Sequence, residues 1–500
     1  MTSREMLSRR SFIQRASGLA LGTSAANAIF DLRLIQSALA QGGNPYQDYK
    51  ALVCLFLSGG NDGNNMIIPF DPANYAAYAG IRGPGLALHQ DAASVPATLI
   101  NGNAYYGLPL STAGTNGETA AVHNLMPEIQ ALFNSNKAAF IRNVGVLTEP
   151  ITRTEFRAGT KTKPPQLFSH NDQVYQWQTS VPDILSRTGW GGRMMDKVRA
   201  DFASTVPPIA NGQISMSVSL AGSNTWEVGD VVNQFQVSTA GAVPFSNYTG
   251  TRKTLIDQIL RDPGQGGDAT LNAQRSNFSL KDFQTVNERA LLNGSALSTA
   301  LANLPPATAT AIDNAFAPTA NSGIGQQMKM IARIIASRNA LGMKRQIFFC
   351  SAGGYDTHGL QPLAHANLLR DISRAMKALY DATATPELNI ADGVTTFTAA
   401  DFGRTFKSNG LGSDHAWGNH HMVVGGAVNG GTLKGSFPVF QLGGPSDTDN
   451  TNPTGRWIPT TSVDEYSATL ARWMGVSESA LDVIFPNLNR FPSRNLGFMS

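Results

Sequence analysis

The chain has 500 residues, of which 42% are hydrophobic and 15% charged, with a formal net charge of +3. So small a charge gives no basic field to hold nucleic acid or anionic lipid. Two cysteines, Cys54 and Cys350, are too few for a disulfide scaffold; both sit in apolar strand-like runs, which predicts buried free thiols.

The N-terminus reads as a targeting segment over residues 1–40. Ser8-Arg9-Arg10-Ser11-Phe12-Ile13 resembles the twin-arginine export signal, a weakly hydrophobic stretch runs from Ala16 to Phe30, and Ala38-Leu39-Ala40 offers a small-x-small cleavage site. The expected consequence is export by the twin-arginine machinery, in the folded state and often with a metal or cofactor in place, to the periplasm or beyond. No later stretch is long and apolar enough to span a bilayer. Residues 45–500 are expected to form the exported domain.

That domain opens with Ala51-Leu52-Val53-Cys54-Leu55-Phe56-Leu57, an apolar run without alternation, as in a strand covered on both faces. It ends in Gly59-Gly60-Asn61-Asp62. Met126 to Asn134 predicts a short helix, and Ala138 to Val144 the next buried strand. The run Leu167-Phe168-Ser169-His170-Asn171-Asp172 leads into another helical pattern. Ser169 there suits either an N-cap or a nucleophile favoured by the helix dipole.

Residues 200–340 change character. Gln213 to Leu220 alternates with period two, as a half-exposed antiparallel strand would, and Gln234 to Val237 is a second short strand pattern. Helical patterns follow at Thr251–Leu260, Leu280–Leu304 and Gln326–Asn339, separated by the loops Asp262–Gly267 and Pro305-Pro306. Ligand-type residues are sparse here, so this segment is expected to be an inserted α+β cap or border to a site made elsewhere.

The core then returns. The apolar run Gln346 to Cys350 ends in Gly353-Gly354-Tyr355-Asp356-Thr357-His358-Gly359, repeating the Gly-Gly-x-Asp grammar of 59–62. A helix over Ala364–Ala382 follows, with Leu369, Ile372, Met376 and Leu379 on one face. Val394 to Ala400 is a strand ending in Asp401-Phe402-Gly403-Arg404-Thr405. A glycine-rich loop carries Ser413-Asp414-His415-Ala416-Trp417-Gly418-Asn419-His420-His421, and Met422 to Val428 reads as another core strand. Ser462 and Glu465 form a capping-box pattern before a last helix, with Gly475 as its stop.

Alternating buried strands and helices predict an α/β sheet flanked by helices, with loops converging at the strand C-termini. Those loops carry Asp62, Asp356, His358, Asp401, Asp414 and His415, and five of the eight histidines fall between 358 and 421. Carboxylate and imidazole donors in this ratio suit Zn²⁺, Mn²⁺ or Fe better than Ca²⁺ or Mg²⁺. One or two such ions could act on a phosphate or sulfate ester, small or polymeric. Arg404 is a candidate for stabilising developing charge and equally for a buried structural role beside Asp401.

The twin-arginine leader, LSGGNDGNN, LFSHNDQ, GGYDTHG, DFGRT and GSDHAWGNHH followed by GGAVNGG together resemble the bacterial DUF1501 family, from about residue 4 to the last helix. That family is in turn similar in fold to the alkaline phosphatase and sulfatase superfamily. The resemblance implies a central mostly parallel sheet, Asp62 and Asp401 on one metal, Asp356, His358 and His415 on another, and Ser169 as nucleophile. Asp401 stands where relatives more often carry Glu, and Asp401-Phe402 where the superfamily carries Asp-His.

Three functions are therefore open at this level. The first is a metal-dependent ester hydrolase. The second is a catalytically inactive exported protein that binds a partner or surface polymer. The third is a redox metal site at His420-His421, whose adjacent side chains would point to opposite faces of a strand.

Overall fold

A computed structural model describes residues 46–96, 104–111, 117–205, 207–243, 248–261 and 278–500. The expected leader and the Asp262–Gly267 loop lie outside the described residues. In chain order the strands are β1 (Lys50–Leu57), β2 (Ile67–Pro69), β3 (Gly107–Pro109), β4 (Ala120–His123), β5 (Ala138–Gly145), β6 (Ser217–Ser219) and β7 (Gln234–Ser238). They continue with β8 (Gly241–Ala242), β9 (Arg345–Ala352), β10 (Val394–Ala400), β11 (Asn419–Gly425), β12 (Thr432–Lys434) and β13 (Thr461–Ser462).

Ten of these make one sheet in the order β12-β5-β11-β10-β1-β9-β6-β7-β8, with β13 also on β5; β2, β4 and β3 make a small second sheet. The centre of the large sheet is parallel: β1 pairs with both β10 and β9, and β9 with β6. Such strands must be apolar on both faces. Accordingly, Ala51 to Leu57 are all buried, and each fully buried Leu, Val or Phe contributes roughly 1.5–3 kcal/mol. Cys54 lies opposite Phe349, whereas Cys350 lies opposite Leu55, so the two thiols point to opposite faces. Both are free and buried.

Helices flank the sheet. Gln361–Ala384 packs against Pro127–Asn134, Pro306–Phe316 and Gly323–Ala336, while Trp190–Ser204 and Val463–Trp473 pack on Glu478–Ile484. Trp190 meets the rings of Trp226, Phe397 and Phe485 at 5.3, 5.7 and 5.7 Å. The last helix starts with both halves of its capping box: Ser462 Oγ accepts from Glu465 N at 3.1 Å, and Glu465 Oε2 accepts from Ser462 N at 2.9 Å.

The segment 200–340 corrects two expectations. Its strand is not half-exposed and antiparallel: β6 is wholly buried and runs parallel to β9 and β7. Two of the serines that gave the alternation, Ser217 and Ser219, are buried too, and Ser219 satisfies its hydroxyl by donating to Gly222 O at 2.6 Å. Nor does the segment form a separate cap, because β6 to β8 extend the central sheet and two of its helices join the layer under Gln361–Ala384.

Direction decides where chemistry collects. β1, β9 and β10 all end at the same sheet edge. β11 runs antiparallel to β10, so its first residue, Asn419, returns to that edge and pairs there with Val144 near the end of β5. The loops 58–62, 353–358, 401–405 and 413–418 therefore meet.

Candidate metal centre

The turn after β1 is held by its glycines. Gly59 has φ 113° and Gly60 φ 81°, a region that side chains strain to enter. A Cβ on Gly59 would stand 2.4 Å from Asp356 N, and one on Gly60 would stand 2.5 Å from the Phe402 ring. This close approach lets Gly59 N donate to Asp401 Oδ1 at 3.0 Å.

Three imidazoles converge on Asp356. His415 Nε2 lies 3.1 Å from His170 Nε2, 3.0 Å from His358 Nε2 and 3.3 Å from Asp356 Oδ1. His358 Nε2 is 3.0 Å from the same Asp356 oxygen, and His170 Nε2 is 3.6 Å from Asp356 Oδ2. His170, Asp356 and His415 alone already form a group whose ligand atoms lie within 4.8 Å of one another, close enough to hold a metal ion.

The outer nitrogens fix the tautomers. His415 Nδ1 lies 2.9 Å from Phe168 O, His170 Nδ1 lies 2.7 Å from Asp401 Oδ2, and His358 Nδ1 lies 2.9 Å from Asp414 Oδ1. Carbonyl and carboxylate oxygens only accept, so each Nδ1 carries a proton, and a cation in the centre would meet the Nε2 lone pairs. Arg404 Nη1, a donor only, faces His358 Nε2 at 3.4 Å and agrees with that assignment. Metal-binding histidines use this arrangement, the far N–H held by a carboxylate or carbonyl. Donors bound to an ion at about 2.0–2.1 Å in a tetrahedron stand ~3.3 Å apart, close to the spacings within His170, Asp356 and His415; His358 adjoins that group through His415 and Asp356.

Burial, with the charges of His170 and Arg404, pushes His415 below the usual imidazole range despite its Phe168 and Asp356 partners. Partial burial alone would raise Asp356, but the hydrogen bond and charge of Arg404, with His358 and His170, hold its carboxyl below the usual range. Asp414 is likewise held low, its partial burial outweighed by Asn409, His358 and Arg456. One side of the centre is closed by Phe402, whose ring lies 4.7 Å from both the His170 and the His415 rings. The other side is open: the side chains of Asp356 and His358 are 47% and 46% exposed.

The structure thus brings together Asp356, His358 and His415, the set that the family resemblance implied, and it repositions the rest. Asp401 and Asp414 stand behind His170 and His358 as hydrogen-bond partners, not among the inner donors. Asp62 is fully buried before the short helix Gly63–Met66, and its carboxylate is held by Arg82 and Gln361. Arg404 is buried with its N–H groups engaged: Nε on Gly60 O at 2.9 Å, Nη1 on Ser413 O at 2.9 Å, and Nη2 on Gly59 O at 2.7 Å, Tyr355 O at 3.1 Å and Asp356. It clamps three loops and has no donor left for an oxyanion, and its carboxylate partner is Asp356 instead of Asp401.

Ser169 is the N-cap of His170–Thr179 but makes no capping bond with its side chain; its hydroxyl donates to Asp172. The inner residue that sequence reasoning missed is His170, one position further on. It sits in the LFSHNDQ run, where attention to the serine hid it. His420 and His421 lie buried on β11, pushed down to about 3 by burial, and their Nδ1 atoms pair separately with Asn143 N at 3.0 Å and Thr398 Oγ1 at 3.3 Å. They form no joint site.

Among the described residues no helix is long and apolar enough to cross a membrane. No curated protein matches the chain. Among solved structures it is similar to the one titled "Crystal structure of Ps i-CgsB in complex with k-i-k-neocarrahexaose", at 11% identity and a TM-score of 0.30, over 90% of this chain and 78% of that one. A likeness at that level carries no argument about fold or ligand. The family model described as "Protein of unknown function (DUF1501)" matches residues 49–454, a span that holds every side chain of the centre. The chain belongs to the DUF1501 family.

Proposed function

We propose that this protein is an exported metal-dependent hydrolase of phosphate or sulfate esters, with one divalent ion held by His170, His358, His415 and Asp356. The observation that carries the reading is the convergence of three Nε2 atoms on one carboxylate, each imidazole fixed from behind by an acceptor. Three imidazoles and one carboxylate favour a borderline cation, Zn²⁺ or Mn²⁺, over an all-oxygen ion such as Ca²⁺. A bound ion would supply Lewis-acid polarisation of the ester and neutralise developing negative charge. Export rests on the Ser8–Ile13 pattern, and the kinship with alkaline phosphatases and sulfatases rests on resemblance.

Within the chain, Ser169 is the candidate nucleophile, adjacent to His170 at a helix N-terminus. Asp172 accepts the hydrogen bond from its hydroxyl and is the group placed to take that proton. Asp401 and Asp414 hold the tautomers, and Arg404 holds Asp356 and the loops that carry the ligands. Protein purified without chelator should turn over 4-nitrophenyl phosphate or sulfate only with metal bound, and Ser169→Ala should abolish turnover while keeping the metal. Turnover that persists in metal-free protein would overturn the reading.

Two observations favour a second reading, a metal-binding protein without turnover. The Ser169–Asp172 bond also resembles ordinary pairing at a helix start, and Arg404 is not free to stabilise an anion. Stoichiometric metal with no turnover of either ester would select it.

A further inference from the structure

The open side of the centre is bordered by leucine. Leu360 is 79% exposed, Leu411 71% and Leu363 53%, whereas large apolar side chains are ordinarily buried. Leu360 stands two residues after His358 and holds φ 50°, a left-handed conformation disfavoured for a branched side chain. Leu363 lies three positions further on, in the first turn of Gln361–Ala384.

These leucines are tied to the centre. Gln361 N donates to Leu411 O at 3.3 Å, joining the two loops. Asn409 Nδ2 donates to His358 O at 3.1 Å and to Asp414 Oδ1 at 3.0 Å, while its Oδ1 accepts from Leu411 N at 3.1 Å and Gly412 N at 2.8 Å. Gln361 itself is buried, bonded to Asp62 and to Ser413 Oγ. The lip is therefore fixed in place by the same residues that set His358 and Asp414.

We propose that Leu360, Leu363 and Leu411 receive the alkyl or aryl portion of the ester whose anionic group enters the centre. The substrate class is then an amphiphilic phosphate or sulfate ester. This inference rests on the ester-hydrolase reading above. The adjacency of lip and centre supplies the physical reason: one molecule with an apolar and an anionic end satisfies both at once.

The test compares octylphosphonate, below its micellar concentration, with methylphosphonate, by calorimetric titration of the Zn²⁺-loaded full-length exported protein. The wild type should bind the octyl compound at least 10-fold more tightly. In Leu360→Ser/Leu411→Ser that ratio should fall towards one while the affinity for methylphosphonate stays the same. A ratio unchanged in the double variant overturns the proposal, as does octyl binding undiminished in metal-depleted protein, which would make the lip a docking face for a partner or lipid surface. If neither phosphonate binds the loaded protein, the hydrolase reading fails first and the proposal falls with it.

Discussion

Asp401 Oδ2 lies 2.7 Å from Nδ1 of His170, although 231 residues separate the two in sequence. That contact fixes a histidine at the start of a helix with its Nε2 3.1 Å from that of His415. Asp401 is itself placed by Gly59 N, so the ends of β1 and β10 and the helix His170–Thr179 converge in one hydrogen-bonded chain.

Asp401→Asn should therefore weaken metal binding by about 10–100-fold without unfolding the protein. Competition with a graded chelator series measures it. Affinity unchanged in this variant would remove Asp401 from the support of the centre.

Asp62→Asn should do the reverse. It strands the fully buried Arg82 guanidinium without its counter-charge, at a cost of about 3–5 kcal/mol in stability, and should leave metal content as it was. Denaturant unfolding and elemental analysis on the same preparation separate the two effects. Lost metal with unchanged stability would return Asp62 to the inner set.

Gly59→Ala meets Asp356 N at 2.4 Å from a backbone at φ 113°. It should cost at least about 2 kcal/mol and displace Asp356 together with Asp401, lowering stability and metal affinity in parallel. A variant as stable as the wild type and fully metallated would contradict the close packing of these two loops.

Stability should peak near pH 6.5. Burial pushes His123, His365, His420 and His421 down to about 3, whereas in the unfolded chain they titrate at 6.5. Below pH 6.5 the unfolded state binds these four protons first, so stability falls as pH drops towards 3. Burial pushes Glu227 and Asp464 up to about 8. The folded state keeps their protons, so their contribution is lost as pH rises from about 4 to 8. Between pH 4.5 and 6.5 the four histidines outweigh the two acids; above 6.5 only the acids act. Urea midpoints at pH 5, 6.5 and 8 check this, and a midpoint that rises throughout would refute it.

Much of the sheet was legible in the sequence because buried parallel strands read as apolar runs without alternation, as at 51–57 and 347–350; β10 follows the same pattern with buried threonines at 395, 396 and 398. β6 was not, because its buried serines, Ser217 and Ser219, mimic an exposed face. The loops that carry Asp356, His358 and His415 followed from strand ends. Asp62 shared the Gly-Gly-x-Asp grammar with Asp356, yet the chain after it turns into Gly63–Met66 and directs its carboxylate to Arg82, which no local pattern reveals. His170 was hidden for the complementary reason: its role depends on Asp401 and His415, each more than 200 positions away, while its neighbours read as an ordinary helix start.

The central claim is a single ion on His170, His358, His415 and Asp356. Elemental analysis of wild type and His170→Ala, both purified without chelator, tests it most directly. About one transition-metal ion per wild-type chain, largely lost in a folded His170→Ala variant, is the expected result; a wild-type protein that is folded and metal-free, or a variant that keeps the full metal content, would contradict it.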